Sequence, residues 1–173
     1  KPLISYDESI KLGEVLPVIG AVELQNLAVT YNEIYVANKE TEKLIRHEAE
    51  HDPLTDLLNR GSFDKLIHIY ETGESPFALL LVDVDTFKAV NDTFGHGIGD
   101  QILRKVASIL KKQFRNIDYV CRIGGDEFAV IMVNSASDKR CTIQKKIEEA
   151  NEELSNPTDS LPAVSLSVGV AFS

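Results

Sequence analysis

The chain has 173 residues, of which 27 are acidic and 18 are basic, so its formal net charge is -9 at pH 7. Hydrophobic residues make up 43% of it, which suffices for one packed domain with an accessory segment but not for two full domains. The negative charge argues against sequence-independent binding to a nucleic acid polymer. It still allows a nucleotide to bind, because a divalent cation lets carboxylates approach phosphates.

The cysteines and the hydropathy indicate a reduced, non-membrane segment. Cys121 and Cys141 form neither a CxxC pair nor a metal-binding spacing with histidine, so we expect free thiols in a cytosolic protein. The longest strongly apolar stretch, residues 77–82, is far too short to cross a bilayer. The chain begins with Lys1 and has no signal peptide, so we expect a fragment of a longer protein.

A long helix is predicted to begin at Val22, because Gly13, Pro17 and Gly20 interrupt any helix before it. Residues at alternating spacings of three and four then form a heptad seam: Leu24, Leu27, Tyr31, Ile34, Asn38, Thr41, Ile45 and Glu48. Asn38 takes an a-type position, where a buried Asn sets the register of a coiled coil. The seam predicts a coiled-coil dimer, and a single amphipathic helix lying against its own domain is the alternative. Asp52-Pro53 should end the helix.

The rest of the chain alternates helical and strand-like segments. We expect helices over 62–70 (with Ser62 as a cap), 98–114 and 137–154, and strands over 77–84, 119–122, 127–133 and 164–172. From the strand over 77–84 onward, the order is β-α-β-β-α-β. This order predicts an α/β (α+β) fold with a ferredoxin-like core, in which an antiparallel sheet carries helices on one face.

A first acidic cluster, Asp83-Val84-Asp85, ends the predicted apolar strand. Side chains alternate along a strand, so Asp83 and Asp85 share one face. A carboxylate at the end of a buried strand needs a partner, because an isolated charge there is unfavourable. A metal ion is one such partner, and a helix cap by Asp85 is another.

A second cluster, Gly124-Gly125-Asp126-Glu127-Phe128, lies on the predicted hairpin. Two glycines allow a tight turn and leave the backbone open to a ligand. The alternative is an ordinary solvated turn. In a β-α-β-β order, however, the first strand can lie beside this hairpin, and Asp83, Asp126 and Glu127 would then converge. Such hard oxygen donors suit Mg²⁺, and two ions could be held between them.

These motifs resemble the GGDEF family of diguanylate cyclases, which is named after the second cluster. The resemblance covers residues 47–173 and includes His51 to Arg60, Asp83 to Asp92, Gly95 to Asp100 and Arg122. It implies that residues 47–173 form a GGDEF domain. The family normally continues beyond Ser173 with a further helix and a basic segment that contacts the triphosphate, so we expect a domain that is incomplete at its C-terminus.

The resemblance also implies roles for individual residues. Asp83 and Glu127, with the Val84 carbonyl, would bind two Mg²⁺ ions, which Mn²⁺ could replace. Asp126 would bind metal and assist deprotonation of a 3′-hydroxyl. Four further residues would bind the substrate GTP: Asn91 and Asp100 at the guanine edge, and Lys88 and the backbone near Phe87 at the phosphates. Without the family context, these would be a turn Asn, a helix-capping Asp and a surface lysine.

Arg115-Asn116-Ile117-Asp118 matches the inhibitory RxxD site of the family, where the product cyclic di-GMP would bind to Arg115 and Asp118. Arg suits bidentate contacts to phosphate or guanine. An ordinary ion pair at a helix end is the alternative.

Residues 1–46 are similar to a HAMP signalling segment joined to a coiled coil. This similarity rests on residues 13–18 and 23–28 and on Tyr31-Asn32. HAMP segments usually lie just inside a membrane. The chain is therefore expected in the cytoplasm, either free or as the cytoplasmic part of an inner-membrane sensor.

The expected activity is that of a diguanylate cyclase, a magnesium-dependent homodimer that converts two GTP into cyclic di-GMP and two pyrophosphates and is inhibited by its product. A non-catalytic module that senses GTP or cyclic di-GMP is the main alternative. A purely structural dimerisation unit is a third reading, and it predicts no magnesium-dependent nucleotide binding.

Overall fold

The computed structural model describes residues 20–156 and 159–173. The chain divides into two compact units, Lys1–Ala49 and Glu50–Ser173. Helix α1 runs from Val22–Glu50 and ends before Pro53, as the Asp52-Pro53 pair predicts. The HAMP-like connector of residues 13–18 lies outside the described residues. In the part of the chain that is described, no helix is long and apolar enough to span a membrane.

Most of the heptad seam of α1 is exposed in the single chain, although Leu24 and Tyr31 are half-buried. Leu27, Ile34 and Ile45 are 64%, 56% and 60% exposed, respectively. Asn38 and Thr41, which lie in the same row, are exposed as well. Because removing apolar area from water is favourable by about 25 cal/mol per Å², this row is an unfavourable surface until another apolar surface covers it.

The described residues of the second unit contain four further helices and four strands. In chain order they are α2 (Arg60–Thr72), β1 (Phe77–Val84), α3 (Phe87–Phe94), α4 (His96–Gln113), β2 (Tyr119–Arg122), β3 (Glu127–Val133), α5 (Arg140–Ser155) and β4 (Leu166–Phe172). A 3₁₀ turn, Ser137–Lys139, precedes α5. The first three strands have the predicted bounds, and β4 begins slightly later than the pattern indicates.

The four strands form one antiparallel sheet in the order β2-β3-β1-β4. This is the ferredoxin-like order, so the predicted fold is confirmed. Strand β1 lies between β3 and β4, which explains its nearly continuous apolar sequence.

The two faces of the sheet bury different helices. Leu80, Val82, Phe128 and Val130 pack on one face with residues of α4 and α5. Ala129 and Ile131 point to the other face, where they pack with Phe63 of α2. The two crossover helices thus share one face, as expected, and α2 adds cover to the opposite face. Since neighbouring residues alternate between the faces, Asp83 and Glu127 lie on the α2 side.

Two local predictions were wrong. The cap of α2 is Asn59, whose Oδ1 accepts a hydrogen bond from the Ser62 backbone N at 3.0 Å. Ser62 instead donates its hydroxyl to the Glu50 carbonyl at 2.8 Å. The helix expected over 98–114 begins at His96, and the separate helix α3 was missed. Gly95, with φ of 82°, separates the two helices, and a positive φ of this kind favours glycine.

Matched isoleucines test the position of the core. Ile109 on α4 is 3% exposed, whereas Ile69 on α2 is 61% exposed. We expect Ile109→Ala to lower the free energy of unfolding by about 2–5 kcal/mol through cavity formation. Ile69→Ala should change it by no more than about 0.5 kcal/mol. Urea unfolding of both variants measures the difference, and equal losses would contradict this core.

Candidate active site

Asp83 and Glu127 are direct partners across the antiparallel pair of β1 and β3. Side chains in such positions have Cβ atoms about 4.5–5.5 Å apart. On its other side, Asp83 pairs with Ser167 of β4. A polar row of Glu127, Asp83 and Ser167 therefore crosses three strands at one end of the sheet. All three residues are exposed.

A cavity of ≈ 460 Å³ opens at this row. Besides the three polar residues, its wall includes Leu81, Ile123 and Gly169. The cavity thus combines two carboxylates with an apolar wall. This combination is typical of a ligand site with a few placed polar groups.

The glycine turn gives Glu127 the space that it occupies. The backbone N atoms of Ile123 and Gly124 donate to the Glu127 carbonyl at 2.9 and 3.2 Å, which closes the loop between β2 and β3. A Cβ atom on Gly124 would overlap with Oε2 of Glu127, whereas one on Gly125 would meet nothing within 4 Å. A side chain at position 124 would therefore displace the Glu127 carboxylate from its present position, and Gly125 leaves exposed backbone open.

Asp126 is joined to the end of β1 through its backbone. Its carbonyl accepts a hydrogen bond from the Val84 N at 3.2 Å. The Val84 side chain is buried in the core, so only the backbone of this residue can take part in ligand binding. The structure thus brings the predicted ligands Asp83 and Glu127 together at the cavity and joins Val84 to Asp126 through the backbone. The Asp126 side chain is not among the described residues that line the cavity.

The acids of the site have the donor chemistry of a divalent-cation site. Among the described residues, no hydrogen bond or ion pair engages the side-chain oxygens of Asp83, Asp126 or Glu127. Like charges on adjacent strands destabilise each other. A cation bound by oxygen donors relieves this repulsion, and hard carboxylate oxygens are the ligands of Mg²⁺.

The Asp85 carboxylate, unlike that of Asp83, is hydrogen-bonded within the described part of the chain. Its carboxylate accepts hydrogen bonds from the hydroxyls of Ser165 and Ser167, both at 2.6 Å. These two bonds lower the pKa of Asp85 below its usual value. The predicted alternative, a cap of the following helix, is wrong, because Thr86 is the N-cap of α3 and makes no side-chain cap bond.

The predicted guanine ligands lie where α3 meets α4. The Oδ1 atom of Asn91 is buried and has no hydrogen-bond partner in the described part of the chain. A Cβ atom on Gly99 would overlap with this same oxygen, so Asn91 packs closely against the residue that precedes Asp100. An unsatisfied buried acceptor costs about 1–3 kcal/mol, and a ligand that donates a hydrogen bond would remove this cost.

The remaining substrate residues lie on the same two helices. Phe87 and Lys88 form the first turn of α3; Lys88 is exposed, and Phe87 packs partly against the core. Asp100 lies inside α4, whose N-cap is Gly95, so the structure rules out a capping role for Asp100.

Arg122 is hydrogen-bonded to the glycine turn, and the motifs alone assigned no role to it. It donates from NH1 to both carboxylate oxygens of Asp52 at 3.0 and 3.2 Å, and from NH2 to the Gly125 carbonyl at 2.7 Å. The Asp52 and Arg122 side chains are only 18% and 13% exposed. The Asp52–Arg122 pair connects the glycine turn to the segment after α1. In the sequence, only the presence of both residues in the family motifs could have indicated this contact.

The Asp118 carboxylate of the RxxD motif already accepts hydrogen bonds from within the chain. Its fully buried carboxylate accepts from the backbone N, Nε and NH2 of Arg115 and from the Val133 N, at 3.0–3.3 Å. The Arg115 side chain is half exposed and lines a second cavity of ≈ 350 Å³, together with Lys111 and Asn116. This cavity shares no lining residue with the first one.

Residues 49–173 match the family described as "Diguanylate cyclase, GGDEF domain", and the chain belongs to this family. Diguanylate cyclase DosC of Escherichia coli K12 is 38% identical over 140 residues, which cover 76% of this chain and 30% of DosC. Response regulator PleD of Caulobacter vibrioides is 45% identical over 100 residues, covering 56% of this chain and 22% of PleD. The chain thus spans less than a third of the length of these relatives.

A solved structure agrees in fold. The crystal structure of the coiled coil and GGDEF domain of DgcB from Caulobacter crescentus, in complex with c-di-GMP, has a TM-score of 0.71 at 30% identity. The match covers 86% of this chain and 81% of that one. The resemblance drawn from the motifs is therefore confirmed. Diguanylate cyclases of this family generally use a divalent metal.

The contact between Asp52 and Arg122 predicts an acid-sensitive stability. Desolvation alone would raise the pKa of Asp52, but hydrogen bonds from Thr55 and Arg122 outweigh it and lower the pKa below 3.8. The stabilisation is therefore present above the unfolded pKa and is lost as the pH falls through the lower folded value. We expect Asp52→Asn to flatten the decline of unfolding free energy below about pH 5.

Urea unfolding at several pH values measures this decline. The control is Asp64→Asn, which removes an exposed ion pair with Arg60 and should leave the profile close to that of the unchanged protein. Parallel profiles for Asp52→Asn and the unchanged protein would contradict the assignment.

Proposed function

We propose that this protein is a diguanylate cyclase that joins two molecules of GTP into cyclic di-GMP and releases two pyrophosphates. One observation carries the proposal. Asp83 and Glu127 are cross-strand neighbours at a cavity, and no described residue satisfies their charges. Family membership supplies the reaction that such a pair would serve.

In this proposal, Asp83 and Glu127 hold two divalent ions, Mg²⁺ or alternatively Mn²⁺, with the Asp126 carboxylate and the Val84 carbonyl as further ligands. When bound, these ions neutralise phosphate charge and make a hydroxyl easier to deprotonate. Asp126 accepts the proton of the 3′-hydroxyl that attacks the α-phosphate of the second GTP. The bond from the Val84 N to the Asp126 carbonyl, 3.2 Å long, keeps these residues together.

GTP would lie along α3 and α4. Lys88 and the free backbone N–H groups near Phe87, in the first turn of α3, contact the phosphates. Asn91 and Asp100 accept hydrogen bonds from the guanine edge, and the unsatisfied Oδ1 of Asn91 supports this role. Adenine lacks the matching donors, so ATP would leave these acceptors unpaired, and this favours GTP.

The reaction joins two nucleotides, so each subunit of a homodimer would hold one GTP facing the other. The exposed seam of α1, with Ile34 at 56% exposure, supports a coiled-coil contact between two copies. At the second cavity, Arg115 would contact the product cyclic di-GMP. Asp118 would then act by holding the guanidinium, since its own oxygens already accept bonds from Arg115 and Val133.

Conservative replacements test the acidic pair. We expect the unchanged protein to convert GTP to cyclic di-GMP with Mg²⁺, and Asp83→Asn and Glu127→Gln each to lower the rate by about a hundredfold or more, because charge stabilisation is lost. Chromatographic separation of the nucleotides measures the product. Glu74→Gln, at an exposed turn, is the control and should retain the rate.

Two outcomes would contradict the cyclase assignment. Full activity of Asp83→Asn or Glu127→Gln would exclude the acidic pair. Binding of GTP without turnover by the unchanged protein would instead support the non-catalytic sensing module.

Replacement of a seam residue together with its neighbour tests the dimer. We expect Ile34→Glu combined with Tyr35→Glu to yield monomers and to lower the rate at least tenfold at low protein concentration, because charges disfavour the apolar contact. Light scattering after size exclusion measures the mass. The control is Val29→Glu combined with Val36→Glu, which places the same two charges on exposed positions of the same helix outside the seam. A dimeric, fully active Ile34→Glu/Tyr35→Glu variant would refute the role of α1.

A further inference from the structure

The loop between β1 and α3 is fastened to the start of β4 at three points. The Asp85 carboxylate accepts from the Ser165 hydroxyl at Oδ2 and from the Ser167 hydroxyl at Oδ1, both at 2.6 Å. The Asp85 backbone N donates to the Ser165 carbonyl at 2.9 Å. Hydrogen bonds to an ionised carboxylate are shorter and stronger than neutral ones, so this cluster is a firm local constraint.

The constraint acts on a residue with an unusual backbone. Thr86 has φ of 60° and ψ of 15°, a left-handed conformation that is unfavourable for a β-branched residue. Such strain persists only where the surroundings enforce it. The Asp85 cluster lies directly before Thr86, and Thr86 is the N-cap of α3. Its conformation therefore sets the direction of the turn that carries Phe87 and Lys88.

The cluster also adjoins the acidic row. Ser167 is the cross-strand partner of Asp83, and its hydroxyl donates to Asp85, which follows Asp83 on the same strand face. The strand that contributes Asp83 and the loop that leads to Lys88 are thus held by the same two serines. Both Asp85 oxygens already accept a hydroxyl bond within the protein.

We propose that Asp85, Ser165 and Ser167 form a clamp in which Asp85 is a positioning residue: it fixes the phosphate-contacting turn of α3 beside Asp83 without binding the metal itself. The inference rests on the proposed function, since it concerns the same site. In this proposal, β4 supports catalysis in addition to forming an edge of the sheet.

The test compares Ser165→Ala/Ser167→Ala with Ser173→Ala in the intact protein. Ser173 is a matched control, because its hydroxyl joins the same two strands at their far end, by bonds with the Phe77 N at 3.0 Å and the Phe77 carbonyl at 3.3 Å. We expect the double variant to speed amide hydrogen exchange at residues 86–88. Its kcat/KM for GTP should fall about tenfold to a hundredfold through misplacement of the turn. Ser173→Ala should change neither.

The dependence on Mg²⁺ separates positioning from ligation. The Mg²⁺ concentration for half-maximal rate should stay the same in the double variant and in Asp85→Asn. Asp85→Asn should also keep more activity than Asp85→Ala, because an amide can still bond with both hydroxyls. If the double variant fails to fold, Ser167→Ala alone, at an exposed position, provides the same comparison.

Three outcomes would overturn the clamp: unchanged exchange at residues 86–88 in the double variant, an unchanged kcat/KM, or a raised Mg²⁺ requirement in Asp85→Asn alone. If the unchanged protein makes no cyclic di-GMP, the proposed function fails. Hydrogen exchange then tests on its own whether the clamp exists, because this measurement needs no turnover.

Discussion

The repulsion between two adjacent carboxylates is the constraint around which this site is built. Asp83 and Glu127 face each other across β1 and β3, and like charges at directly opposite positions of adjacent strands destabilise each other. The fold accepts this cost at an exposed cavity. In the proposed function, a divalent cation shared by the pair would convert this repulsion into binding energy, and this would link the sheet topology to phosphoryl chemistry.

The structure around the pair holds it in place. Gly124 leaves room for the Glu127 carboxylate, and Arg122 ties the turn to Asp52. On the other side of Asp83, the serines of β4 bond to Asp85. The acids are thus carried by strands, and the loops beside them are fastened by buried or charge-assisted hydrogen bonds. Such support keeps catalytic groups near their working geometry.

Much of this arrangement could be predicted from the sequence. The apolar run of β1 and the glycine pair between β2 and β3 predicted the strands, and their order predicted that Asp83 meets Glu127. Helix α3 was missed because its eight residues are fewer than the roughly 11–18 over which a helical period is recognised, and its end depends on the positive φ of Gly95. The partners of Asp85 and Asp118, such as Ser165 and Val133, are distant in sequence or lie in the backbone, so local patterns cannot indicate them.

The proposed function requires the Asp83 and Glu127 carboxylates to share a divalent cation. The most direct measurement is anomalous diffraction from crystals of the protein grown with Mn²⁺ and a GTP analogue that cannot react. An anomalous peak within coordination distance of both carboxylates is the predicted result. Manganese bound elsewhere, with Asp83 and Glu127 both free of it while the nucleotide is in place, would contradict the account.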